Sequence, residues 1–426
     1  MRRRRWTRRM CARSSRGSAG RFMAMTPMII TMPHEPTPAV PASPGRTSVR
    51  ATVVRMLSVL FLASLFVPLI GTWRHWDFWS ASNENRRLAE MPSVPRNFKD
   101  AGKYTDRWLS FYRDHFGLRN TLIHAVAETE FHGFGADTNG NVIIGKDGWL
   151  FFRPDGDHDL IAYRGLNPLS DEELTAWQDL LEKRNAWLAS KGIPYLVIIP
   201  PDKQTIYPEF LPPEYAPLRR QSRLDQLVER LEQTHSTVRL VDLRPALLAA
   251  KPSGRLYHKT DTHWNDSGSF VGYGVIIEAV KELLPKWNIV PQTRNDFVRG
   301  PVHSEIGDLA KMMDMPDQYP DEGFGLVGKI PFNMPSTLMD RNSITVTDSN
   351  DPTKPRLVFY HDSFGIGLAQ LLGPHFGRVA YVSYYTMDPT AVLNEKPDLV
   401  ISEFLERNLY IAPPTDAPEI RHFQLR

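Results

Sequence analysis

Cysteine is almost absent from this 426-residue chain, which contains a single one, Cys11. The rest of the chain therefore has no disulfide framework, no thiolate nucleophile and no cysteine-ligated metal. Acidic residues are scarce at the start, because residues 1–55 contain twelve arginines and one acid, Glu35. Residues 56–426 carry 39 basic and 47 acidic residues, so nothing in their charge indicates a nucleic-acid partner.

Charge is missing altogether from residues 56–73, an apolar stretch between Arg55 and Arg74. Its length is near the short end of the roughly 17 to 25 residues that span a bilayer. The arginines before it predict that residues 1–52, an arginine-rich disordered tail, stay in the cytoplasm and that the following chain crosses the membrane. We therefore predict a single-pass transmembrane anchor at residues 53–73. A buried core helix and a cleaved signal peptide are alternatives that the sequence leaves open.

Two local patterns follow the anchor. Trp108, Phe111 and Tyr112 recur at helical spacing, which predicts a helical juxtamembrane segment over residues 74–140. In residues 141–152, two apolar runs are separated by the letters GKDG. That arrangement is typical of a β-hairpin.

From residue 170 onward, helical patterns alternate with short apolar runs. Ser170 and Glu173 have the spacing of a capping box at a helix start. The apolar runs predicted as strands are 194–200, 238–243, 356–361, 379–383 and 398–402. Strands that alternate with helices imply an α/β fold with a parallel sheet covered on both faces. We assign residues 141–426 to this domain, with residues 286–352, rich in proline, aspartate and methionine, as an irregular insertion.

One strand–helix junction carries candidate chemistry. The letters RLVFYHDSFGIG place Ser363 directly after a predicted strand and before an apolar helix. Sites in open α/β sheets form beyond the carboxyl ends of the strands, and the amides of a helix N-terminus favour a developing oxyanion. Ser363 is therefore a candidate nucleophile, although a serine at such a position is also a common helix cap.

The stretch YHKTDTHWND, residues 257–266, concentrates titratable side chains before another predicted helix. His263 is the candidate base for Ser363, and Asp261 is the carboxylate that would orient its imidazole. The same histidines and aspartates are residue types that bind Zn²⁺ or Mn²⁺, but they lack the helical spacing of a zinc-protease motif. A triad, a metal site and a solvated polar loop remain open on the residues alone; we expect a triad and no metal.

The order of DTHW before HDSFG on an α/β pattern resembles the alginate O-acetyltransferase (AlgX/AlgJ-like) family, a branch of the SGNH-hydrolase superfamily. Further stretches that match this family, in its order, are ENRRLAEMP (84–92), DHFGLRNTLI (114–123), VIIGKDGWLFF (142–152), PPDKQTIYPEFLP (200–212), GDLAKMM (307–313) and PDLVISEFLERNL (397–409). The resemblance implies an SGNH-hydrolase-like three-layer α/β/α sandwich with Ser363, His263 and Asp261 as a Ser–His–Asp triad. In ordinary SGNH hydrolases the serine comes first, whereas here the Asp-x-His motif precedes it, as in this family's permuted order.

The resemblance also implies transfer of acetyl groups, through an acetyl-Ser363 intermediate, to hydroxyls of an exported polysaccharide. The oxyanion contacts expected are the Ser363 amide and Lys203. Aromatic surfaces would hold the sugar ring, and an arginine would be needed if the acceptor contains uronic acids. The side chains expected to contact the acceptor are Trp264, Tyr384, Tyr257, Phe364, Tyr385 and Arg407. Core packing is the alternative role for each of the aromatic residues.

Location and partners follow from the same resemblance. Acetyl-CoA is cytoplasmic and the chain has no glycine-rich phosphate loop, so we expect no cofactor and a separate multi-pass membrane acyltransferase as acetyl donor. The catalytic domain is expected in the periplasm, anchored to the bacterial inner membrane beside other polysaccharide-export proteins. Two alternatives use the same residues: an esterase that passes the acetyl group to water, and a non-catalytic carbohydrate-binding subunit of a secretion complex.

Overall fold

The computed structural model describes residues 46–74, 76–78, 88–95, 98–134, 140–153, 158–215, 218, 221–315, 317–329, 332–333, 335–339 and 344–425. Residues 1–45 of the predicted disordered tail, which include Cys11, lie outside the described residues. The strands are β1 (Val142–Ile144), β2 (Leu150–Phe152), β3 (Tyr195–Ile199), β4 (Arg239–Asp242), β5 (Phe297–Glu305), β6 (Asp321–Gly328), β7 (Thr345–Asp348), β8 (Arg356–Tyr360), β9 (Arg378–Val382) and β10 (Leu399–Glu403).

The helices are α1 (Arg46–Arg74), α2 (Phe98–His115), α3 (Arg119–Phe134), α4 (His158–Tyr163), α5 (Asp171–Ala189), α6 (Lys203–Ile206), α7 (Arg223–Gln233), α8 (Arg244–Ala250), α9 (Asp266–Leu283), α10 (Asp308–Met312), α11 (Gly365–Leu372), α12 (Pro389–Glu395) and α13 (Pro418–Arg421). The predicted capping box is confirmed at the start of α5. There the Glu173 N–H donates to Ser170 Oγ at 3.2 Å, and the Ser170 N–H donates to Glu173 Oε2 at 2.8 Å.

Helix α1 contains the predicted membrane anchor. Its residues 50–74 are long and apolar enough to cross a membrane, and their large apolar side chains are mostly exposed. That exposure disfavours the alternative of a buried core helix. The helix begins at Arg46, so residues 46–52 are helical and not part of a disordered tail as predicted. The orientation across the membrane stays a prediction.

Within the predicted juxtamembrane segment, the described residues form two helices, α2 and α3, which are separated by a short turn. Residues 116–118 form a turn in which Leu118 has a φ of 65°. A Cβ at Gly117 would lie 2.1 Å from the carbonyl carbon of Gly71. Gly117 is therefore required by a close backbone approach that the apolar periodicity does not reveal.

The main sheet has six strands in the order β4-β3-β10-β8-β9-β7. The first five run parallel to one another, and β7 pairs antiparallel with β9 at one edge. The predicted parallel sheet is confirmed apart from β7, which lies inside the segment predicted as an irregular insertion. This strand has four residues, Thr-Val-Thr-Asp, too few and too polar for a strand pattern to be recognised.

Two apolar clusters cover the faces of this sheet. Alternate strand residues point to opposite faces, and they divide accordingly: Leu196 and Ile198 of β3 pack in one cluster, with side chains of α8, α9 and α11. Val197 and Ile199 pack in the other, with side chains of α5, α7 and α12. Burial on both faces accounts for the unbroken apolar sequence of these strands.

Two antiparallel strand pairs lie outside the six-stranded sheet. The predicted hairpin at residues 141–152 is confirmed as the antiparallel pair β1–β2. The predicted irregular insertion is more ordered than expected, because it contains a second antiparallel pair, β5–β6, and α10. The register of β5–β6 shifts between Arg299 and Val302, a bulge that interrupts the alternation by which a strand is recognised.

Candidate active site

The nucleophile candidate lies at the carboxyl end of β8, a central strand of the sheet. Strand β8 ends at Tyr360, and α11 begins at Gly365, so Ser363 lies in the short turn between them. A Cβ at Gly365 would lie 2.5 Å from the Cβ of His361. The small residue therefore lets the helix start directly against the turn, and Ser363 is held beyond the sheet edge, where the sequence places it.

The candidate base lies in a loop that is closed by its own backbone. Tyr257 and Trp264 form an isolated antiparallel bridge, and the His258 N–H donates to the carbonyl of His263 at 3.2 Å. Asn265 then caps α9 by accepting from two amides of its first turn. The cap and the bridge fix both ends of the loop, so its middle is directed toward Ser363.

The three predicted triad residues lie within hydrogen-bonding distance of one another. His263 Nε2 is 2.6 Å from Ser363 Oγ, and His263 Nδ1 is 2.6 Å from Asp261 Oδ1. The His263 N–H also donates to Asp261 Oδ1 at 2.9 Å, and the Asp308 N–H donates to Asp261 Oδ2 at 2.9 Å. Burial alone would raise the pKa of Asp261, but the hydrogen bond and charge of His263, with these two amides, hold that pKa below its usual range.

Asp308 is a second carboxylate at the site, and sequence reasoning assigned it no role. Its Oδ2 accepts from Thr262 Oγ1 at 2.6 Å and its Oδ1 from the Thr262 N–H at 2.7 Å. Burial, and then repulsion from Asp261, raise the pKa of Asp308. The only sequence signal for Asp308 was the family-like stretch GDLAKMM. The first residue of this stretch, Gly307, allows α10 to approach the triad loop, because a Cβ there would lie 2.0 Å from the carbonyl oxygen of Thr260.

Asp261, His263 and Asp308 are close enough to hold a metal ion, since one ligand atom of each lies within 4.8 Å of the others. The hydrogen bonds argue for a different use of these atoms. A cation on His263 Nδ1 would replace its hydrogen bond to Asp261, whose other oxygen already accepts from the Asp308 amide. The pattern of donors and acceptors fits a triad better than a metal site.

Lys203 supports the loop that carries the triad, in place of the oxyanion contact predicted for it. Its ammonium group donates to the carbonyls of His258, Lys259 and Asp261 at 3.1, 3.0 and 2.6 Å. Those three bonds use all three of its hydrogens. The side chain is buried, and burial lowers the pKa of Lys203 to about 7. The oxyanion prediction for Lys203 was therefore wrong, because sequence does not show which way a buried lysine points.

The turn around Ser363 is held by the carboxylate of Asp362. Asp362 Oδ1 accepts from the Phe364 N–H at 2.8 Å, and Oδ2 accepts from the Tyr385 hydroxyl at 2.7 Å. The Asp362 N–H donates in turn to Glu403 Oε2 at 2.7 Å. Among the described residues the Ser363 N–H has no acceptor, and its contact with a developing oxyanion stays a prediction.

Glu403 is a fully buried carboxyl beneath this turn, which sequence reasoning did not single out. Burial, and then repulsion from Asp362, raise the pKa of Glu403 well above its usual range. A neutral Glu403 avoids a pair of adjacent negative charges behind the nucleophile. Its position at the end of the apolar run of β10 was the available sequence signal.

Ser363 opens into two cavities. The histidine-side cavity has a volume of about 420 Å³, and residues that line it include His258, His263, Asp266, Ser363, Ile366 and Gln370. The loop-side cavity has a volume of about 250 Å³, and residues that line it include Met339, Asp362, Ser363, Tyr384, Arg407 and Asn408. The nucleophile can therefore be approached from two directions.

The aromatic residues expected to contact a sugar divide into buried and accessible groups. Tyr257 and Phe364 are fully buried and Trp264 is 4% exposed. The indole N–H of Trp264 donates to the carbonyl of Phe364 at 3.2 Å. Trp264 also lines the histidine-side cavity, so its contact with a sugar stays a prediction. Tyr384 and Tyr385 line the loop-side cavity, where their predicted role stays open.

Arg407 also lines the loop-side cavity, but its charge is already balanced. Its Nη1 lies 2.8 Å from Oδ1 of Asp202, a carboxylate that is 1% exposed. The guanidinium also lies over the rings of Phe152 and Phe364, at 5.1 and 5.8 Å from their centroids. The predicted clamp on a uronic acid would have to share Arg407 with this buried ion pair.

Comparison with known proteins shows which proteins this chain is similar to. Residues 142–322 match the family model described as the SGNH hydrolase-like domain of the acetyltransferase AlgX. The chain is 27% identical over 239 residues to a probable alginate O-acetylase AlgJ of Pseudomonas syringae, covering 55% of each chain. The resemblance to the alginate O-acetyltransferase family is confirmed. The family match includes Asp261, His263 and Asp308, whereas Ser363 follows it.

Further relatives define how far the family likeness extends. The probable alginate O-acetylase AlgJ of Azotobacter vinelandii is 24% identical over 220 residues, which cover 50% of this chain and 52% of the relative. The chain thus spans about half the length of these relatives. A solved structure of Bacillus cereus PatB1 with a sulfonyl adduct has a TM-score of 0.50 at 16% identity, covering 67% of this chain and 99% of that one. With the family match, this likeness supports an SGNH-like α/β fold.

Proposed function

We propose that the chain is an O-acetyltransferase that passes acetyl groups, through an acetyl-Ser363 intermediate, to hydroxyls of an exported polysaccharide. The observation that supports this most is the continuous chain of short hydrogen bonds from Asp261 through His263 to Ser363. A serine hydroxyl becomes an effective nucleophile when an adjacent base accepts its proton. The names of the similar proteins, probable alginate O-acetylases, agree with this chemistry.

The proposed first half-reaction acylates the serine. Ser363 Oγ attacks the carbonyl carbon of the donor acetyl ester while His263 Nε2 takes the hydroxyl proton. The negative charge that develops on the carbonyl oxygen is stabilised by the Ser363 N–H at the start of α11. Collapse of this intermediate breaks the ester bond, and His263 returns the proton to the departing donor oxygen.

The proposed second half-reaction runs the same steps in reverse. A sugar hydroxyl gives its proton to His263 and attacks the acetyl carbonyl of acetyl-Ser363. The bond to Ser363 Oγ breaks, and the serine regains the proton from His263. The products are an acetylated sugar and the free enzyme, so no cofactor enters the balance. Asp261 stabilises the imidazolium that forms in each half-reaction.

The proposed setting is the periplasmic side of the bacterial inner membrane. Helix α1 is long and apolar enough for a single-pass anchor, and the arginines before it favour a cytoplasmic N-terminus. In this setting the acetyl group comes from a multi-pass membrane acyltransferase, and other polysaccharide-export proteins present the acceptor. The three-layer α/β/α arrangement of the superfamily is part of the same proposal.

The experiment that tests the function uses the full-length chain in detergent micelles with an activated acetyl ester. Intact mass and peptide mapping should show one acetyl group on Ser363 of the wild type and none on Ser363→Ala. Ser253→Ala, at an exposed serine of a short turn, is the matched control and should be acetylated as the wild type is.

The fate of the acetyl group then separates the three hypotheses. Faster loss of the acetyl group in the presence of oligosaccharide, with acetylated sugar as product, supports the transferase. Loss to water at a rate that oligosaccharide does not change indicates an esterase. An unmodified Ser363 in the presence of a reactive donor indicates a non-catalytic subunit.

A further inference from the structure

The two cavities beside Ser363 are not equivalent for proton transfer. His263 lines the histidine-side cavity and not the loop-side cavity. A hydroxyl that attacks acetyl-Ser363 must come within about 2.6 to 3.2 Å of the base that takes its proton. If the proposed transfer occurs, the acceptor hydroxyl therefore has to enter through the histidine-side cavity.

The histidine-side cavity has the size and polarity of a small-ligand site. Its volume of about 420 Å³ falls in the usual range of roughly 300 to 1,000 Å³. The Gln370 amide and the Asp266 carboxylate line it and are suited to hydrogen bonds with sugar hydroxyls. Ile366 adds an apolar surface beside them.

Apart from two histidines, the titratable side chains that line this cavity are acidic. Asp261 and Asp266 contribute carboxylates, and among the described residues no lysine or arginine lines it. A carboxylate on a sugar bound here would lie within about one Debye length, roughly 8 Å at physiological salt, of these groups. Like charges at that distance repel one another and disfavour binding. Arg407 does not offset this repulsion, because it lines the other cavity and is paired with Asp202.

We propose that the histidine-side cavity binds the hydroxyl-bearing unit of an uncharged polysaccharide and discriminates against polyuronates. This inference rests on the proposed transferase function and narrows its acceptor class. Alginate, which appears in the names of similar proteins, is a polyuronate. The acidic cavity therefore assigns this chain an acceptor different from the one those names indicate.

The test is a competition between two oligosaccharides of equal length. The full-length chain in detergent micelles receives an activated acetyl ester with equal concentrations of a cello-oligosaccharide and an oligomannuronate. We expect the neutral chain to be acetylated at least tenfold faster at low salt. The difference should narrow as added salt screens the carboxylates.

Three variants locate the source of the selectivity. Asp266→Asn should raise the ratio of uronate to neutral acetylation several-fold, and Gln370→Lys should raise it further by adding a cation. Glu419→Gln makes the same charge change as Asp266→Asn in α13, whose Ile420 packs in the cluster on the opposite face of the sheet. It should leave the ratio unchanged.

Equilibrium binding to Ser363→Ala separates this inference from the proposed function. Tighter binding of the cello-oligosaccharide, even if neither sugar is acetylated by the wild type, supports the selectivity while refuting the transfer. Binding of the oligomannuronate as tight as, or tighter than, that of the neutral chain overturns the inference. So does a wild-type preference for the uronate that neither salt nor Asp266→Asn alters.

Discussion

Asp261 uses both of its carboxylate oxygens as hydrogen-bond acceptors at the site. One of its oxygens accepts from the imidazole and from the backbone of His263, and the other accepts from the Asp308 amide. These bonds keep the proton of neutral His263 on Nδ1 and leave Nε2 as an acceptor for Ser363. The carboxylate thereby determines which imidazole nitrogen can act as the base.

The role of Asp261 can be measured by changing one atom. Asp261→Asn keeps the shape of the side chain but offers an amide donor, which favours the wrong imidazole tautomer, so acetylation of Ser363 should slow by about 10³- to 10⁴-fold. His263→Ala should cost at least as much. The measurement is single-turnover acetylation of the full-length chain, with folding checked by circular dichroism.

Asp308→Asn is the control for this prediction, because Asp308 Oδ2 lies 3.8 Å from His263 Nδ1 and bonds mainly to Thr262. A loss of about tenfold or less is expected. Equal losses in Asp261→Asn and Asp308→Asn would show that the two carboxylates share the orienting role.

The sequence predicts residues of this site only where the signal is local. Asp261 and His263 are two positions apart, and Ser363 follows a strand, so both patterns can be recognised. Asp308 lies 47 residues from its partner Asp261, and no short pattern connects them. Lys203 was misassigned for a related reason: residue type suggests a role, but only packing decides which groups the side chain contacts.

At the scale of elements, α10 and the triad loop are held together by backbone contact. The N–H groups of Leu309 and Ala310 donate to the carbonyl of Thr260 at 3.1 and 3.3 Å. This close approach depends on Gly307, whose missing side chain leaves room for Thr260. A short helix from the insertion therefore helps to position Asp261.

Gly307→Ala should separate these two elements. Its φ of −67° is compatible with alanine, so the effect is purely steric, and overpacking of this kind costs about 1 to 3 kcal/mol of unfolding free energy. Acetylation of Ser363 should fall as well, because the Asp308 N–H moves away from Asp261. Urea unfolding and single-turnover acetylation measure the two effects.

Gly274→Ala provides the matched comparison. Nothing lies within 4 Å of a Cβ at Gly274, which is exposed in the middle of α9, so alanine there should stabilise the chain by roughly 0.5 to 1 kcal/mol. If both alanines have the same small effect, the contact between α10 and the triad loop does not position the site.

Elements were predicted well where their apolar pattern is long. The buried strands β3, β8, β9 and β10 and the amphipathic α5 follow the expected periods. The failures are short or interrupted elements: β7 has four residues, β5 contains a bulge, and α2 ends two residues before Gly117, which is needed for close contact with Gly71. Each failure involves a contact with residues distant in sequence, which a local pattern does not encode.

At the scale of the whole molecule, the carboxyl edge of the sheet concentrates buried acids. Glu406 Oε2 accepts from the Asp202 N–H and from Thr205 Oγ1, at 2.8 and 2.7 Å. Burial, and then repulsion from Asp202, raise the pKa of Glu406 to about 7. With Glu403 beside it in sequence, this edge binds protons more tightly when folded than when unfolded. The stability of the chain should therefore depend on pH at this edge.

The sign of that dependence follows from the two states of Glu406. In the unfolded chain a glutamate has a pKa of about 4.3, and in the folded chain that of Glu406 is about 7. Between these values the folded state holds more protons, so the contribution of Glu406 to stability falls as pH rises through the window and stays low above it.

Glu406→Gln removes this titration while keeping an oxygen acceptor for both donors. From pH 4.5 to pH 8, the unfolding free energy of the variant should therefore gain about 3 kcal/mol relative to the wild type. Urea unfolding of the full-length chain in detergent measures this, and Glu214→Gln, at an exposed glutamate, should follow the wild type. A constant difference between Glu406→Gln and the wild type across this range would mean that Glu406 is ionised when folded.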